Sequence, residues 1–395
     1  DAQYFVFNDA EDYESISRYT LGGLCPIQLG SILAPPRASP QYRIVGKLGH
    51  GAFSTVWLAH DRVARQNVAL KIVQANRTSS NNQEAAILRR LRAPSSHVVQ
   101  LLDVFDHTSA NGVHQVLVTE PVHPLDYMRY SKFQPQITRH AIWQLMKGLA
   151  FIHSQGIAHG HLHPGNLGIA IPELHAFSDT QIWEHIGRPY TLPIVHSTLP
   201  PTPDAFPAYI CGDMDIGRML LHHAPAVAQR PLEIRILDFG NGVYFFSLPP
   251  RCATPMTYAA PEDAFRREVF DDLDAPWDQR SDIWSLAVCI HALISSRGLF
   301  QSYMGGGILH EMMHYAGEVP DAWRGYVKRH PFPKGKPFPS PVHASALWAE
   351  KERLFAACGV EDPAVLVRML RRMMVLDPAG GPTAGELLGD AYLAG

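Results

Sequence analysis

Residues 49–56 read Gly49-His50-Gly51-Ala52-Phe53-Ser54-Thr55-Val56 and lie between two runs typical of short β-strands, residues 42–45 and 55–59. Glycines in such a loop let the backbone approach a phosphate group closely, at turn angles that other residues resist. An ordinary hairpin turn would explain the same pattern equally well. The loop therefore indicates a phosphate site only if residues elsewhere support one.

A lysine and a glutamate downstream of this loop provide that support. Lys71 lies in a third strand-like run, residues 68–73, and Glu84 lies in a short helix predicted over residues 82–91. A buried lysine needs a counter-charge, and a Lys–Glu pair beside a glycine loop can hold the lysine against the α- and β-phosphates of a nucleotide. Taken alone, the pair is equally compatible with a purely structural ion pair.

The chain around these motifs divides into a strand-rich part and a helix-rich part. Two more strand-like runs, residues 98–105 and 115–119, complete a small predicted sheet. After Pro124 the apolar period becomes helical. The predicted helices are residues 137–154, residues 282–294 (apolar on nearly every side), residues 364–374 and a last one from Thr383, with Glu386 completing a capping box. A length of 395 residues agrees with two lobes.

Motifs with chemical character continue along the chain in a fixed order. They are His159-Gly160-His161-Leu162-His163-Pro164-Gly165-Asn166, then Asp238-Phe239-Gly240, then Ala260-Pro261-Glu262. Asn166 and Asp238 supply the oxygen ligands that a hard cation such as Mg²⁺ prefers. Together with the glycine loop, Lys71 and Glu84, this ordered set is not expected by chance.

The sequence thereby resembles the eukaryotic protein kinase superfamily. Within it the chain looks most like a divergent, fungal-looking SR-protein kinase, because of the run 47–58, Asn241 after Asp-Phe-Gly, and an insert before Asp238. The likeness extends over roughly residues 13–393. It implies an α+β, bilobal protein-kinase fold with a small antiparallel-sheet N-lobe and a mainly helical C-lobe. The expected divisions are an N-terminal extension at 1–41, an N-lobe at 42–122, and a C-lobe at 123–395 with an insert at 171–233.

The resemblance also implies a site for ATP and Mg²⁺. Gly49 and Gly51 would cover the phosphates, Lys71 would pair with Glu84, and Asn166 with Asp238 would hold the metal. The adenine would lie among Val56, Ala69, the gatekeeper Thr119 and the backbone of Glu120 and Val122. Leu88, His159 and Phe239 would stack as a hydrophobic spine, and Asp282 would anchor the catalytic loop from the central helix.

Departures from the family pattern are concentrated at the reaction centre. His161 stands where the family has the aspartate that orients the substrate hydroxyl and accepts its proton, and His163 replaces the lysine that neutralises the γ-phosphate. Gly160 replaces the arginine that binds a phosphorylated activation loop, and Gly168 replaces a leucine beneath the adenine. Gly381 replaces the arginine that would pair with Glu262.

These departures leave three functions open. His161 could act as the base of a serine/threonine-type phosphotransferase, because a neutral imidazole accepts protons near pH 7. Alternatively, the chain is a pseudokinase that binds nucleotide or a partner without turnover, or it uses ATP for another transfer or ligation on a small molecule. The retained Asn166 and Asp238 favour the transferase, with a protein or small-molecule phosphoacceptor. Acidic residues between 271 and 278 and basic residues between 326 and 341 do not identify that acceptor.

Composition and charge limit the expected partners and the expected cellular compartment. A formal charge of -3 gives no electrostatic reason to expect a nucleic-acid or membrane partner. The five cysteines include no close pair, which favours a reducing compartment over a disulfide framework or zinc site. We expect no signal peptide and no membrane-spanning stretch, and therefore an intracellular location in the cytoplasm or nucleus.

Overall fold

The computed structural model describes residues 4–5, 13–35, 41–78, 83–93, 97–125, 137–196, 202–214, 216, 232–244, 253–271, 277–302 and 305–394. The strands are β1 Tyr4–Phe5, β2 Ile32–Leu33, β3 Tyr42–His50, β4 Ser54–Asp61, β5 Gln66–Val73, β6 Leu101–Ser109, β7 Gly112–Thr119, β8 Val122–Pro124, β9 Ile157–Ala158, β10 Leu167–Ala170, β11 Thr191–Pro193, β12 Val195–His196, β13 Tyr209–Cys211, β14 Ile234–Ile236 and β15 Val243–Tyr244. The helices are α1 Glu84–Arg90, α2 Arg139–Ser154, α3 Asp179–Ile186, α4 Pro261–Phe270, α5 Gln279–Ser295, α6 Gly305–Ala316, α7 Arg324–Arg329, α8 Pro341–Ala357, α9 Pro363–Met373, α10 Ala384–Leu387 and α11 Ala391–Ala394.

A six-stranded antiparallel sheet with the order β2-β3-β4-β5-β7-β6 forms the N-terminal lobe. The predicted antiparallel sheet is therefore confirmed, and its five predicted strands correspond to β3 to β7. One of its faces buries Trp57, Leu70 and Val116 in a shared apolar cluster. The sixth strand, β2, comes from residues predicted as an extension, because Ile32 and Leu33 pair with the start of β3.

The rest of the described chain is mainly helical, as predicted, and is organised around α5. This helix is buried from Ser281 to Ala292 and packs with α2 and α9 in one large apolar cluster. The predicted helices correspond to α1, α2, α5, α9 and α10, although Asn82, at the predicted start of α1, lies outside the described residues. Helices α4, α6 and α8 have no counterpart among the elements predicted above.

The region 171–233, which shows no sustained period in sequence, contains regular structure in its described parts. Helix α3 begins with a capping box between Ser178 and Gln181, and β11 pairs with β13. The region also contacts the N-terminal sheet, because the buried Asn67 amide donates to the carbonyls of Leu174 and Phe177, both at 2.7 Å. Part of the basic stretch between residues 326 and 341 lies in the short helix α7.

No helix in the described ranges is both long enough and apolar enough to cross a bilayer.

Candidate active site

Lys71 lies on β5 and meets two carboxylates from different parts of the fold. Its Nζ lies 2.7 Å from Glu84 Oε1, at the start of α1, and 2.6 Å from Asp238 Oδ1. Burial alone would lower the pKa of Lys71, but the neighbouring Asp238 and Glu84 raise it well above its ordinary value. Burial would likewise raise the pKa of Asp238, and Lys71 holds it well below its ordinary value. Lys71 and Asp238 are therefore charged near pH 7, whereas burial raises the pKa of Glu84 above its ordinary value.

Asp238 adopts an uncommon backbone conformation, with φ of 59°. For a residue with a Cβ this left-handed conformation costs free energy, and such strain is typical of functional sites. The following residue, Phe239, is fully buried, and its ring centroid lies 4.8 Å from that of His159. Leu88 is buried in the same apolar cluster as Phe239. This packing fixes Asp238 toward Lys71.

Asp282, in the first turn of α5, holds the backbone before His161. Its carboxylate accepts hydrogen bonds from His159 N at 2.8 Å and from Gly160 N at 2.9 Å. Gly160 has φ of +67°, and a Cβ there would lie 2.1 Å from the Trp277 ring. An arginine at this position would clash with Trp277 and strain the backbone, which explains why a glycine replaces the family residue.

His161 lies with its Nδ1 atom facing the predicted metal ligands. Nδ1 is 3.2 Å from Asn166 Nδ2, 3.3 Å from Asn241 Nδ2 and 3.8 Å from Asp238 Oδ2. Asn166 Nδ2 also donates to the His161 carbonyl at 2.9 Å, which fixes the orientation of that amide. Nδ1 must therefore be a hydrogen-bond acceptor, and the ring hydrogen is on Nε2. Burial lowers the pKa of His161 to about 4, so the ring is neutral near pH 7.

His163 packs against His161, with ring centroids 4.7 Å apart. Its Nδ1 accepts a hydrogen bond from Gly165 N at 3.2 Å and caps the turn that carries Asn166. Burial, and then the adjacent His161, lower the pKa of His163 to about 4. The histidine therefore brings no positive charge at neutral pH to the place of the family lysine.

The residues predicted around the adenine lie together at the junction of the sheet with β8. Ala69 on β5 is the direct cross-strand neighbour of Thr119 on β7. The Glu120 side chain binds Arg235, with Oε1 accepting from Nε at 2.8 Å, so its carboxylate is committed to that ion pair. Val122 lies on β8 opposite Ala170.

Gly168 permits close packing of two strands below this region. A Cβ at Gly168 would lie 2.5 Å from Val122 Cγ1 and 2.8 Å from the His123 carbonyl. The leucine of the family pattern would require β8 to move. The loss of that side chain is therefore compensated by the close approach of β8.

The glycine loop joins β3 to β4, with Gly49 paired to Val56 and the Gly51 amide donating to the Ser54 carbonyl at 2.9 Å. Sequence reasoning missed the residue that holds this loop from outside, Arg18. Its guanidinium donates to the carbonyls of Gly51, at 2.8 Å, and Ala52. No local pattern around Arg18 indicates this contact, because its partners lie more than thirty residues away in sequence. Asn241, by contrast, was visible as part of the run after Asp-Phe-Gly.

Comparison with known proteins agrees with this geometry. Residues 42–173 match the family model described as protein kinase domain. The chain is 31% identical over 192 residues to protein kinase dsk1 of Schizosaccharomyces pombe, covering 45% of this chain and 33% of that protein. It is 33% identical over 183 residues to serine/threonine-protein kinase SKY1 of Saccharomyces cerevisiae, covering 42% of this chain and 24% of that protein. It is 28% identical over 321 residues to serine/threonine-protein kinase SRPK of Physarum polycephalum, covering 74% of this chain and 68% of that protein.

A solved structure supports the fold over nearly the whole chain. The crystal structure of a kinase domain superposes with a TM-score of 0.59 at 18% identity, covering 94% of this chain and 98% of that one. The chain has the bilobal kinase fold, and residues 42–173 carry the match to the protein kinase domain. Another relative is SRSF protein kinase 3 of Homo sapiens, to which the chain is 29% identical over 215 residues, covering 50% of this chain and 37% of that protein. The matched part spans between a quarter and a third of the first two relatives, dsk1 and SKY1.

Proposed function

We propose that the chain is an ATP- and Mg²⁺-dependent phosphotransferase of the serine/threonine kinase type. The observation that carries this proposal is the Lys71 amino group, which contacts both Glu84 and Asp238 within 2.7 Å. In kinases the Lys–Glu pair and the metal-binding aspartate must both be in place for phosphoryl transfer. A buried lysine with two carboxylate partners can also be structural, as Lys47 is, so the proposal depends on Lys71 lying opposite Val56 of the glycine loop.

The residues around Lys71 fit ATP and Mg²⁺. Asp238 Oδ1 accepts a hydrogen bond from Lys71, and Oδ2 lies 3.8 Å from His161 Nδ1. The carboxylate of Asp238 and the amide oxygen of Asn166 suit Mg²⁺. When bound, the metal would neutralise charge on the transferred phosphoryl group. Gly49, Gly51, Val56, Ala69, Thr119 and the backbone of Glu120 and Val122 would contact the nucleotide.

Activation of the phosphoacceptor hydroxyl would depend on His161. Phosphoryl transfer relies mainly on positioning and electrostatic stabilisation, which Lys71, Asn166 and Asp238 would supply. The neutral His161 ring has one lone pair available for accepting a proton, on Nδ1. The hydroxyl of a protein or small-molecule acceptor would reach it only by displacing the side-chain amides of Asn166 and Asn241. We therefore expect slow transfer compared with an enzyme that has the family aspartate.

A second candidate is a nucleotide-binding pseudokinase without turnover. The observation that favours it is the hydrogen bonding of His161, because Nδ1 is occupied and Nε2 carries the hydrogen, so that neither nitrogen is a free base. The neutral His163 removes a further contribution to transition-state stabilisation. The two candidates differ in products and share the nucleotide site.

The first prediction separates these candidates. ATP with Mg²⁺ is expected to raise the melting temperature of the full chain by mass action, and Asp238→Ala is expected to remove the Mg²⁺-dependent part. Asp321→Ala, in an exposed turn far from the site in sequence, is the matched control and is expected to keep it. Nucleotide analysis then decides the chemistry. ADP formed with an acceptor supports the phosphotransferase, unchanged ATP supports the pseudokinase, and identical melting with and without Mg²⁺-ATP contradicts both.

A further inference from the structure

The stretch from residue 322 to residue 349 carries only one sign of charge. It contains no aspartate or glutamate, in a chain whose formal charge is -3. Its first cation, Arg324, pairs with Asp321 at 2.8 Å. The remaining cations are exposed, and among the described residues none has a carboxylate within ion-pair distance; they are Lys328, Arg329, Lys334 and Lys336. We call these four residues the basic patch.

Ring packing gives the segment that carries the basic patch a fixed course. Phe332 lies against two histidines of α6, with its ring centroid 4.5 Å from that of His310 and 5.1 Å from that of His314. The next aromatic residue, Phe338, meets the Phe332 ring edge-on, with centroids 5.5 Å apart. His310 Nε2 also donates to the His330 carbonyl at 3.1 Å. The segment therefore follows α6 rather than extending freely into solvent.

A tight turn places two of the lysines on either side of Gly335. The Lys336 amide donates to the Pro333 carbonyl at 3.0 Å, and Gly335 has φ of 85°, as the third residue of a type II turn requires. Lys334 follows Arg329 by five residues, which extend over at most about 18 Å. The four cations are thus confined to one small part of the surface.

Exposed apolar side chains lie close to the basic patch in the chain. Phe338 is 63% exposed although it contacts Phe332, and Val342, in the first turn of α8, is 82% exposed. Protein interfaces combine an apolar centre with a polar rim. A ligand that matches this surface has acidic side chains for the basic patch and an apolar side chain for Phe338.

We propose that the basic patch and Phe338 form a docking surface for an acidic segment of a partner protein, in which aspartates or glutamates flank an apolar residue. The cations alone would also attract a nucleic acid. A long polyanion, however, would extend beyond the patch onto a chain of net charge -3, whereas a short acidic segment would not. The inference concerns residues outside the proposed nucleotide site, so it does not depend on the phosphotransferase function.

The test is fluorescence anisotropy of a labelled peptide of aspartates, glutamates and one central leucine, titrated with the full chain without nucleotide. We expect binding that weakens as salt is added, because salt screens exposed charges. Each exposed ion pair contributes up to about fivefold in affinity, so Lys334→Ser combined with Lys336→Ser should weaken binding roughly tenfold. Phe338→Ser should remove the advantage of this peptide over one with serine in place of leucine. Arg65→Ser combined with Arg368→Ser removes two exposed cations, from the β4–β5 turn and from α9, and should bind as the parent does.

A charge reversal provides a positive result that an unfolded variant cannot give. Lys334→Glu combined with Lys336→Glu should bind a peptide with lysines in place of its acids more tightly than the parent does. The inference is overturned if the acidic peptide does not bind at low salt, or if the Arg65 and Arg368 variant loses as much affinity as the lysine variant. An oligodeoxythymidine that binds at least as tightly as the acidic peptide, and depends on the same lysines, assigns the surface to nucleic acid and also overturns it.

Discussion

Glu262 is a partly buried acid whose family partner is missing, because Gly381 stands in place of an arginine. Its carboxylate instead accepts a hydrogen bond from Ser281 Oγ at 2.6 Å. Burial raises the pKa of Glu262 to about 7, although the Ser281 hydrogen bond opposes this, and the nearby Asp278 and Asp263 add to it. A hydroxyl stabilises a carboxylate far less than a guanidinium does. The structure thus replaces a charged pair by an acid that is half protonated near neutral pH.

This acid should make the stability of the protein depend on pH. The folded-state pKa of about 7 lies above the unfolded value of about 4.3, so the contribution is full below the unfolded value and is lost as pH rises through 7. Between pH 5 and pH 8 the parent should lose about 3 kcal/mol that Glu262→Gln does not lose. Urea denaturation at both pH values measures the difference. The assignment is wrong if both proteins lose the same stability, and Glu311→Gln provides an acid-to-amide control.

The reaction centre shows what single residues reveal before a structure is known. The order of the motifs was enough to name Lys71, Glu84, Asn166 and Asp238, and the structure brings all four together with His161. Their catalytic roles stay predictions. The direction of the His161 lone pair could not be predicted, because it depends on the Asn166 amide and on its hydrogen bond to the His161 carbonyl.

At the scale of elements, the β3–β4 hairpin is held from two sides. Arg18, from the segment before the sheet, donates to the carbonyls of Gly51 and Ala52. Arg77 lies over the Phe53 ring, 4.1 Å from its centroid. The segment that carries Arg18 also binds the sheet directly, because Glu14 forms a buried ion pair with Lys47 of β3. The loop expected to cover the phosphates is therefore fixed before any nucleotide binds.

We predict that Arg18 pre-organises the nucleotide site. In Arg18→Ala the dissociation constant for ATP should rise severalfold, because ordering the loop then costs free energy upon binding. Amide hydrogen exchange of residues 50–54 should become faster in the same variant. Arg18→Lys should restore part of both effects, since one ammonium still donates to a carbonyl. Arg65→Ala, which removes an exposed charge from the β4–β5 turn, is the control. Equal affinity and exchange in Arg18→Ala and the control would show that the clamp has no role.

Local pattern explains which elements were predictable. Strands β3 to β7 carry enough β-branched and apolar residues to be recognised from sequence, and α2 and α5 carry a clear helical period or continuous apolarity. Strand β2 has only two residues and exists because it pairs with β3, so no local signal announces it. Helix α3 did have a signal, the Ser178–Gln181 capping box, which was missed among the surrounding prolines and histidines.

At the scale of the whole molecule, the described parts of residues 171–233 connect the helical lobe to the N-terminal sheet. This region follows the catalytic loop in sequence, yet its described parts bind the N-terminal sheet at several separate points. Asp213 lies 3.3 Å from Lys47 of β3, Asp179 forms an ion pair with Arg43, and the Asn111 amide donates to the Ala205 carbonyl at 2.8 Å. Such contacts, between residues far apart in the chain, cannot be read from local sequence patterns. They restrain movement of the sheet relative to the helical lobe.

Asn67 makes two further connections of this kind and carries the last prediction. Its fully buried amide donates to the carbonyls of Leu174 and Phe177, both at 2.7 Å, so Asn67→Ala leaves two acceptors without their donor. Each such loss costs about 1–3 kcal/mol, so the free energy of unfolding should fall by roughly 2–6 kcal/mol. Cooperative lobes would still unfold in a single transition in urea, and limited proteolysis should cut the insert faster in Asn67→Ala. The exposed Asn76→Ala is the matched control. If both variants unfold at the same urea concentration and the insert is cut at the same rate, these contacts do not join the lobes.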